Sequence, residues 1–201
     1  MSLHADNLRL HLSRGPASPR SLQEKLGLSQ PTLSRALGRL GDEVVRLGAA
    51  RSIQYLLRDR SRGFPDLPVY RVDAEGRIRR LGLLIPVRPD GYVMRQDDGQ
   101  FLHSEGMPWW LLDMRPQGFL GRAYASRHAA GLGLPASVNE WSDVDAIRAL
   151  LVHGHDAVGN LLLGDRARDH FLDMPPADPV SQANRAHEYV RLARRATQGD
   201  Q

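Results

Sequence analysis

The segment Gln30-Pro31-Thr32-Leu33-Ser34-Arg35-Ala36-Leu37-Gly38-Arg39-Leu40 interleaves residues of two chemistries. Leu33, Ala36, Leu37 and Leu40 recur at steps of three and four, which gathers them on one stripe of a helix. Gln30, Pro31, Thr32, Ser34, Arg35 and Arg39 fall on the opposite face. Glutamine pairs bidentately with adenine edges and arginine with guanine edges, while serine and threonine reach phosphates or bases. This composition suits a helix lying in the major groove of double-stranded DNA, with Gln30 to Arg35 nearest the bases. Arg46, Arg51 and Arg58 follow on or beside two short apolar runs, where they can touch flanking phosphates or a minor groove.

Other chemistry is sparse. His153-Gly154-His155-Asp156 offers imidazole and carboxylate groups of the kind that bind zinc, nickel or iron. Two histidines two residues apart do not share a helix face, and no H-x-x-x-H pattern occurs, so a solvated turn is expected and no metal ligand is assigned. His103, His128 and His170 are scattered and form no triad with a serine in a nucleophile elbow. Cysteine is absent, which excludes disulfides, thiolate zinc sites, iron–sulfur clusters and cysteine nucleophiles. Lys25 is the sole lysine, so a phosphate loop or Schiff base has almost nowhere to sit. No catalytic residue and no cofactor are assigned. Trp109 and Trp110, in Pro108-Trp109-Trp110-Leu111-Leu112, are expected to pack in a core.

The elements that position the polar helix face can be read around it. Leu3, Leu8 and Leu12 have helical spacing in a segment stopped by Gly15-Pro16. Ser21 and Glu24 have capping-box spacing for a second helix that buries Leu22 and Leu26. Gly27-Leu28-Ser29 then supplies a glycine for unusual dihedrals, an apolar plug and a cap for the helix from Gln30 to Leu40. Glu43 to Leu47 and Ser52 to Leu57 read as strands joined by Gly48-Ala49-Ala50-Arg51, a basic hairpin or wing. Together these make a winged helix-turn-helix over residues 1–62.

Breakers and charge from Arg60 to Pro68 mark a boundary. Beyond it, Val69 to Val72 and Arg77 to Ile85 flank the turn Asp73-Ala74-Glu75-Gly76, and Gly91 to Met94 and Phe101 to His103 extend an antiparallel meander. A helix is expected from about Gly118 toward Ala130, and another behind Ser142 and Asp145 that buries Ile147, Leu150 and Leu151. A strand from Val158 to Leu163 follows, with Arg168 to Leu172 pairing against it. The fold class is thus α+β: a winged helix-turn-helix, then a small mixed α/β module with an antiparallel sheet over 68–172, then a Pro-rich linker and amphipathic helix over 173–201. That last helix is expected behind Ser181, with Ala186, Tyr189, Val190 and Ala193 on one stripe.

The 201 residues, 41% apolar and 25% charged, suffice for one domain or two small ones and argue against disorder throughout. Residues 1–62 hold eleven Lys and Arg against five Asp and Glu, whereas residues 63–201 hold sixteen against eighteen. The positive excess therefore lies wholly in the first third, where a polyanion would be met. The longest strongly apolar stretch, Leu81 to Val87, is far below the roughly 20 residues of a membrane-spanning helix. The first residues lack the pattern of a signal peptide, and the expected location is the cytoplasm.

Three segments carry a family resemblance: Pro68-Val69-Tyr70-Arg71-Val72, Met114-Arg115-Pro116-Gln117-Gly118-Phe119-Leu120-Gly121-Arg122, and His153-Gly154-His155-Asp156-Ala157-Val158-Gly159-Asn160-Leu161. The stretch 68–165 resembles the N-terminal subdomain of HipA-like toxin kinases, and the whole chain resembles the YjjJ (HipH) branch, which carries its own helix-turn-helix. The resemblance implies a serine/threonine kinase using ATP and magnesium in full-length relatives. It places the glycine-rich loop, lysine, catalytic aspartate and magnesium ligands beyond a helix like the one behind Ser181, so no ATP turnover is expected from these 201 residues. The expected function is the DNA-binding regulatory portion of such a toxin–antitoxin kinase. The expected partners are double-stranded DNA, a kinase C-terminal lobe in cis or in trans, and a second copy in a homodimer on symmetric half-sites. Alternatives are a stand-alone antitoxin-like module docking on a separate kinase lobe and a ligand-responsive repressor.

Overall fold

A computed structural model describes residues 3–49, 52–175 and 180–198. The chain forms two compact units: Met1–Arg71 with Arg77–Leu112, and Val72–Gly76 with Asp113–Gln201. Most of the helices and the antiparallel strands occur in separate stretches of the chain, an α+β arrangement.

The first unit begins with three helices, α1 (Leu3–Leu12), α2 (Pro19–Leu26) and α3 (Gln30–Leu40). Their apolar stripes meet in one core of Ala5, Leu8, Leu12, Leu22, Leu28, Leu33, Ala36 and Leu40. Leu3, placed on that stripe by its spacing, is instead 72% exposed, and Ala5 takes the inward position. The cap of α2 also differs from the expected Ser21–Glu24 box. Pro19 opens the helix, where its missing N–H costs nothing, so Ser18 becomes the cap and its hydroxyl accepts from the Ser21 amide at 3.2 Å. Glu24 pairs with Arg20 one turn back. Gly27 adopts the left-handed conformation at φ 63°, and its N–H donates to the Gln23 carbonyl. Leu28 plugs the corner, and Ser29 caps α3.

After a 3-10 turn at Gly41–Glu43, β1 (Val44–Leu47) and β2 (Gln54–Leu57) pair antiparallel, with Val44 opposite Leu57 and Val45 opposite Leu56. Strand side chains alternate between faces. Here both faces are apolar at their inner ends: Val44, Tyr55 and Leu57 pack on the helices, while Val45, Leu47 and Leu56 pack on Ile85, Val87 and Val93. Those last three belong to the meander β3 (Leu67–Val72), β4 (Ile78–Val87), β5 (Gly91–Gln96) and β6 (Phe101–Glu105), in which each strand lies beside the next. Gly82, at φ 153°, sits opposite Gln96, where an added Cβ would overlap the Arg95 carbonyl.

Backbone bonds join the hairpin to both neighbours. Tyr55 exchanges N–H and C=O bonds with Ala17 at 2.9 and 3.0 Å, and the Arg88 and Asp59 amides donate to Leu57 and Pro86, both at 2.8 Å. Just past β2, Asp59 and Arg62 form an ion pair at 3.0 Å with side chains 4% and 6% exposed. The Arg62 guanidinium also donates to the Val87 carbonyl at 2.8 Å and lies 4.5 Å from the Tyr92 ring centre. Burial opposes the Asp59 charge, but the Ser61 hydroxyl and amide, Arg62 and Arg88 outweigh it and hold the carboxyl below its usual range.

In the second unit, α4 (Gly118–Leu132), α5 (Asp143–His153), β7 (Leu161–Leu163), α6 (Gly164–Asp173) and α7 (Arg185–Gln198) follow. Ser142 and Asp145 form the expected reciprocal capping box on α5. Ile147 and Leu150 are buried, whereas Leu151 is only partly so. Residues 168–172 do not pair as a strand with β7. Gly164, at φ 79°, turns the chain directly into α6, and Arg168 bridges Asp165 and Asp169 along that helix. Trp109 is 71% exposed rather than packed in a core, and the buried indole is Trp141, whose N–H donates to the Pro135 carbonyl at 2.7 Å. Along α7, Tyr189 and Val190 are 56% and 51% exposed.

Two stability outcomes follow from the hairpin and its ion pair. Leu56→Ala removes a fully buried side chain and should cost about 2–5 kcal/mol in denaturant unfolding. Asp59→Ala strands the Arg62 charge and should cost about 3–5 kcal/mol. The stabilisation due to the depressed Asp59 carboxyl is complete above its ordinary value of 3.8 and is lost as pH falls through its lowered native value.

Candidate nucleic-acid interface

Helix α3 is pinned by Leu33, Ala36 and Leu40, which turns its other face outward. Gln30, Pro31, Ser34, Arg35 and Arg39 are all exposed there. Thr32 is half-buried, and its hydroxyl is 2.9 Å from that of the cap residue Ser29. The Arg35 Nε donates to the Pro31 carbonyl one turn earlier at 3.3 Å, which lays the guanidinium toward the helix N-terminus. Thr32, Arg35 and Arg39 line a shallow groove of about 270 Å³ with His4 and Ala36. The helix dipole adds partial positive charge at this end of α3.

The arginines on and beside the hairpin differ in their surroundings. Arg46 points to the strand face opposite Val45 and Leu47 and is exposed. Arg51 lies outside the described residues. Arg58 is half-buried: its Nε donates to the Asp42 carbonyl at 2.9 Å and its Nη1 to the Asp66 carboxylate, both inside the same unit.

The acids of this region are paired. Glu43 accepts from the Arg9 Nε and Nη2 at 2.9 and 3.0 Å, a two-pronged bond that holds its carboxyl below the usual range. Asp6 also pairs with Arg9, Asp42 with Arg60, and Glu24 with Arg20. No acidic side chain pairs with Arg35, Arg39 or Arg46 among the described residues. The geometry thus leaves three unpaired cations on and beside one helix whose polar side chains face outward.

The sequence singled out these arginines by composition, but it gave no sign that Arg58 is spoken for. Asp66, eight residues away across a Gly-Pro-containing loop, carries no spacing signal. The network of Asp59, Arg62, Arg88 and Tyr92 was missed for the same reason. Among the described residues no group of three His, Cys, Asp or Glu side chains could hold a metal ion, and no helix is long and apolar enough to cross a membrane.

The segments quoted for the resemblance have structural roles. Arg115 donates to the Trp141 carbonyl and the Asp143 carboxylate, which ties the start of α4 to the start of α5. The family described as "YjjJ-like toxin, middle domain" matches residues 64–172, more than half of the chain. The chain belongs to the YjjJ-like toxin family. It is 33% identical over 190 residues to Toxin YjjJ of Escherichia coli (strain K12), an alignment covering 94% of this chain and 43% of that relative. The YjjJ-like chain thus spans less than half the length of the curated relative it matches. No solved structure matches it at a significant level.

Because Arg35 and Arg39 are exposed and, among the described residues, form no ion pair or hydrogen bond with another element, Arg35→Ala and Arg39→Ala should each change unfolding stability by no more than about 0.5 kcal/mol. A larger loss in either variant, measured by denaturant unfolding, would mean the side chain belongs to the fold rather than to an interface.

Proposed function

We propose that this chain is the DNA-binding regulatory portion of a HipA-like, toxin–antitoxin-related kinase. In this reading α1, α2 and α3 with the β1–β2 hairpin are a winged helix-turn-helix. The observation that carries it is the outward face of α3, where Arg35 and Arg39 stand unpaired while the neighbouring acids are occupied by other arginines. An unpaired guanidinium meets duplex DNA without first breaking an internal ion pair, and each phosphate it neutralises releases counterions.

The contact roles divide by position. Gln30, Ser34 and Arg35 on the first turns of α3 reach base edges, with Thr32 and Pro31 fixing the start of the helix. Arg39, farther along, and Arg46, on the wing, meet phosphates. Arg51 is a second wing contact. Arg58 acts indirectly, holding the hairpin base through Asp66 and Asp42. The kinase lobe, ATP, magnesium and the protein target belong to longer relatives under the resemblance, and residues 64–172 are the surface against which such a lobe would dock.

Fluorescence anisotropy with labelled duplexes tests the reading. The chain should bind duplex DNA with affinity that falls steeply as salt rises. Arg35→Ala should weaken binding to the preferred sequence by about 1–3 kcal/mol. Arg46→Ala should weaken all sequences alike and lower the salt slope by about one. Salt-independent binding, or none to any duplex, would overturn the proposal.

A further inference from the structure

The second unit gathers four histidines from four different elements. His128 comes from α4, His153 ends α5, His155 lies in the 3-10 turn Gly154–Asp156, and His170 comes from α6. Their rings form a file with centres 4.4 Å apart for His128 and His153, 6.2 Å for His153 and His155, and 5.1 Å for His155 and His170. Tyr124 closes one end. Its ring is 4.8 Å from His128 and edge-on to Trp141, and its hydroxyl is 2.7 Å from the His153 Nδ1. The His155 Nδ1 is buried with no hydrogen-bond partner.

This arrangement suits neutral rings and resists charged ones. Neutral imidazoles pack face and edge as aromatic groups do. Imidazolium ions at these separations repel each other, and taking them out of water adds a further cost. The charged groups acting on the two central rings are Asp156 on His155 and Arg166 on His153, and Tyr124 is a further titratable neighbour. Asp165 and Asp169 on α6 are already bridged by Arg168, and Arg127 of α4 is exposed. One carboxylate therefore stands against four bases and an arginine.

We propose that His153 and His155, stacked between the rings of His128 and His170, form an acid-sensitive latch that holds α4, α5 and α6 together while neutral and loosens them when protonated. Burial, first of all, pushes His153 and His155 below the ordinary imidazole value of 6.5, and the neighbouring histidines push the same way. An imidazole whose pKa is lower in the folded chain binds its proton more readily when unfolded. Its stabilisation is therefore complete above about pH 6.5 and is lost as pH falls from there through the depressed native value. The inference does not depend on DNA binding, since every residue in it lies between Tyr124 and His170.

Amide hydrogen exchange of the 201-residue chain, read by mass spectrometry and corrected for intrinsic rates, tests it. Between pH 7.5 and pH 5.5, peptides from α4, α5 and α6 should lose roughly tenfold in protection. His128→Phe combined with His170→Gln keeps a ring beside His153 but removes two bases, and should reduce that loss to under about threefold. His187→Gln, at an exposed position on α7, should leave the wild-type loss unchanged. NMR titration of the wild-type imidazoles supplies a readout that no variant can spoil, with His153 and His155 expected below 6.5. The same loss of protection in the double variant as in the wild type, or titration of both rings at or above 6.5, would overturn the proposal.

Discussion

The first unit depends on a two-stranded hairpin that is apolar on both faces. Most hairpins bury one face and show the other to water. Here Val44, Tyr55 and Leu57 complete the three-helix core, while Val45, Leu47 and Leu56 complete the core against the meander. Without the hairpin, each of those cores would be open on one side. Burying a leucine such as Leu56 contributes about 1.5–3 kcal/mol, and β1 and β2 supply such contacts in both directions. The hydrogen bonds from Tyr55 to Ala17 and from Leu57 and Asp59 to β4 and its flank fix the spacing. The helix that carries Arg35 and Arg39 is therefore not a loosely tethered head but part of one packed body with the strands up to β6.

The charge pattern follows from this packing. Where the hairpin meets its neighbours, arginines are used as internal ties: Arg9 to Glu43, Arg58 to Asp66, and Arg62 to Asp59. Burying a charge is costly unless it is paired and hydrogen-bonded, and the Asp59–Arg62 pair meets both conditions. Among the described residues, the arginines left over are Arg14 behind α1, Arg35 and Arg39 on the outward face of α3, and Arg46 on β1. The excess of positive charge seen in the first 62 residues is thus sorted by the fold into cations that hold it together and cations that do not.

Much of this was legible in the sequence. Leucine spacing in α1 and α3, the Gly27-Leu28-Ser29 corner, the alternation in β1 and β2 and the turn at Asp73 to Gly76 are local signals, and local signals dominate there. Ser142 and Asp145 capped α5 as their spacing required. The departures have local causes too: Pro19 moved a cap back to Ser18, and Gly164 converted an expected strand into α6. What periodicity does not carry is pairing across distance. Asp66 claims Arg58, Trp141 rather than Trp109 enters the core, and His128 and His170 join the His153-Gly154-His155 turn only because three helices converge on it. The family was recognisable because Arg115 and the stretch around Asp156 sit at helix and strand starts, where backbone geometry restricts the choice of residue.

The parity of the hairpin has an evolutionary consequence. Among the described residues between the strands, Ala49, Ser52 and Ile53 belong to neither apolar core, so length can vary there with little structural penalty, while Gly48, at φ 73° with the Ser52 carbonyl close behind it, is held to glycine. The eight residues of β1 and β2 have no such freedom. Inserting or deleting one of them would exchange the two sides of the strand, turning a side chain meant for the helices toward the meander and the reverse. Across this family, length variation should therefore gather at the loop and stay out of the strands, with change within β1 and β2 confined to substitutions that preserve each side's volume.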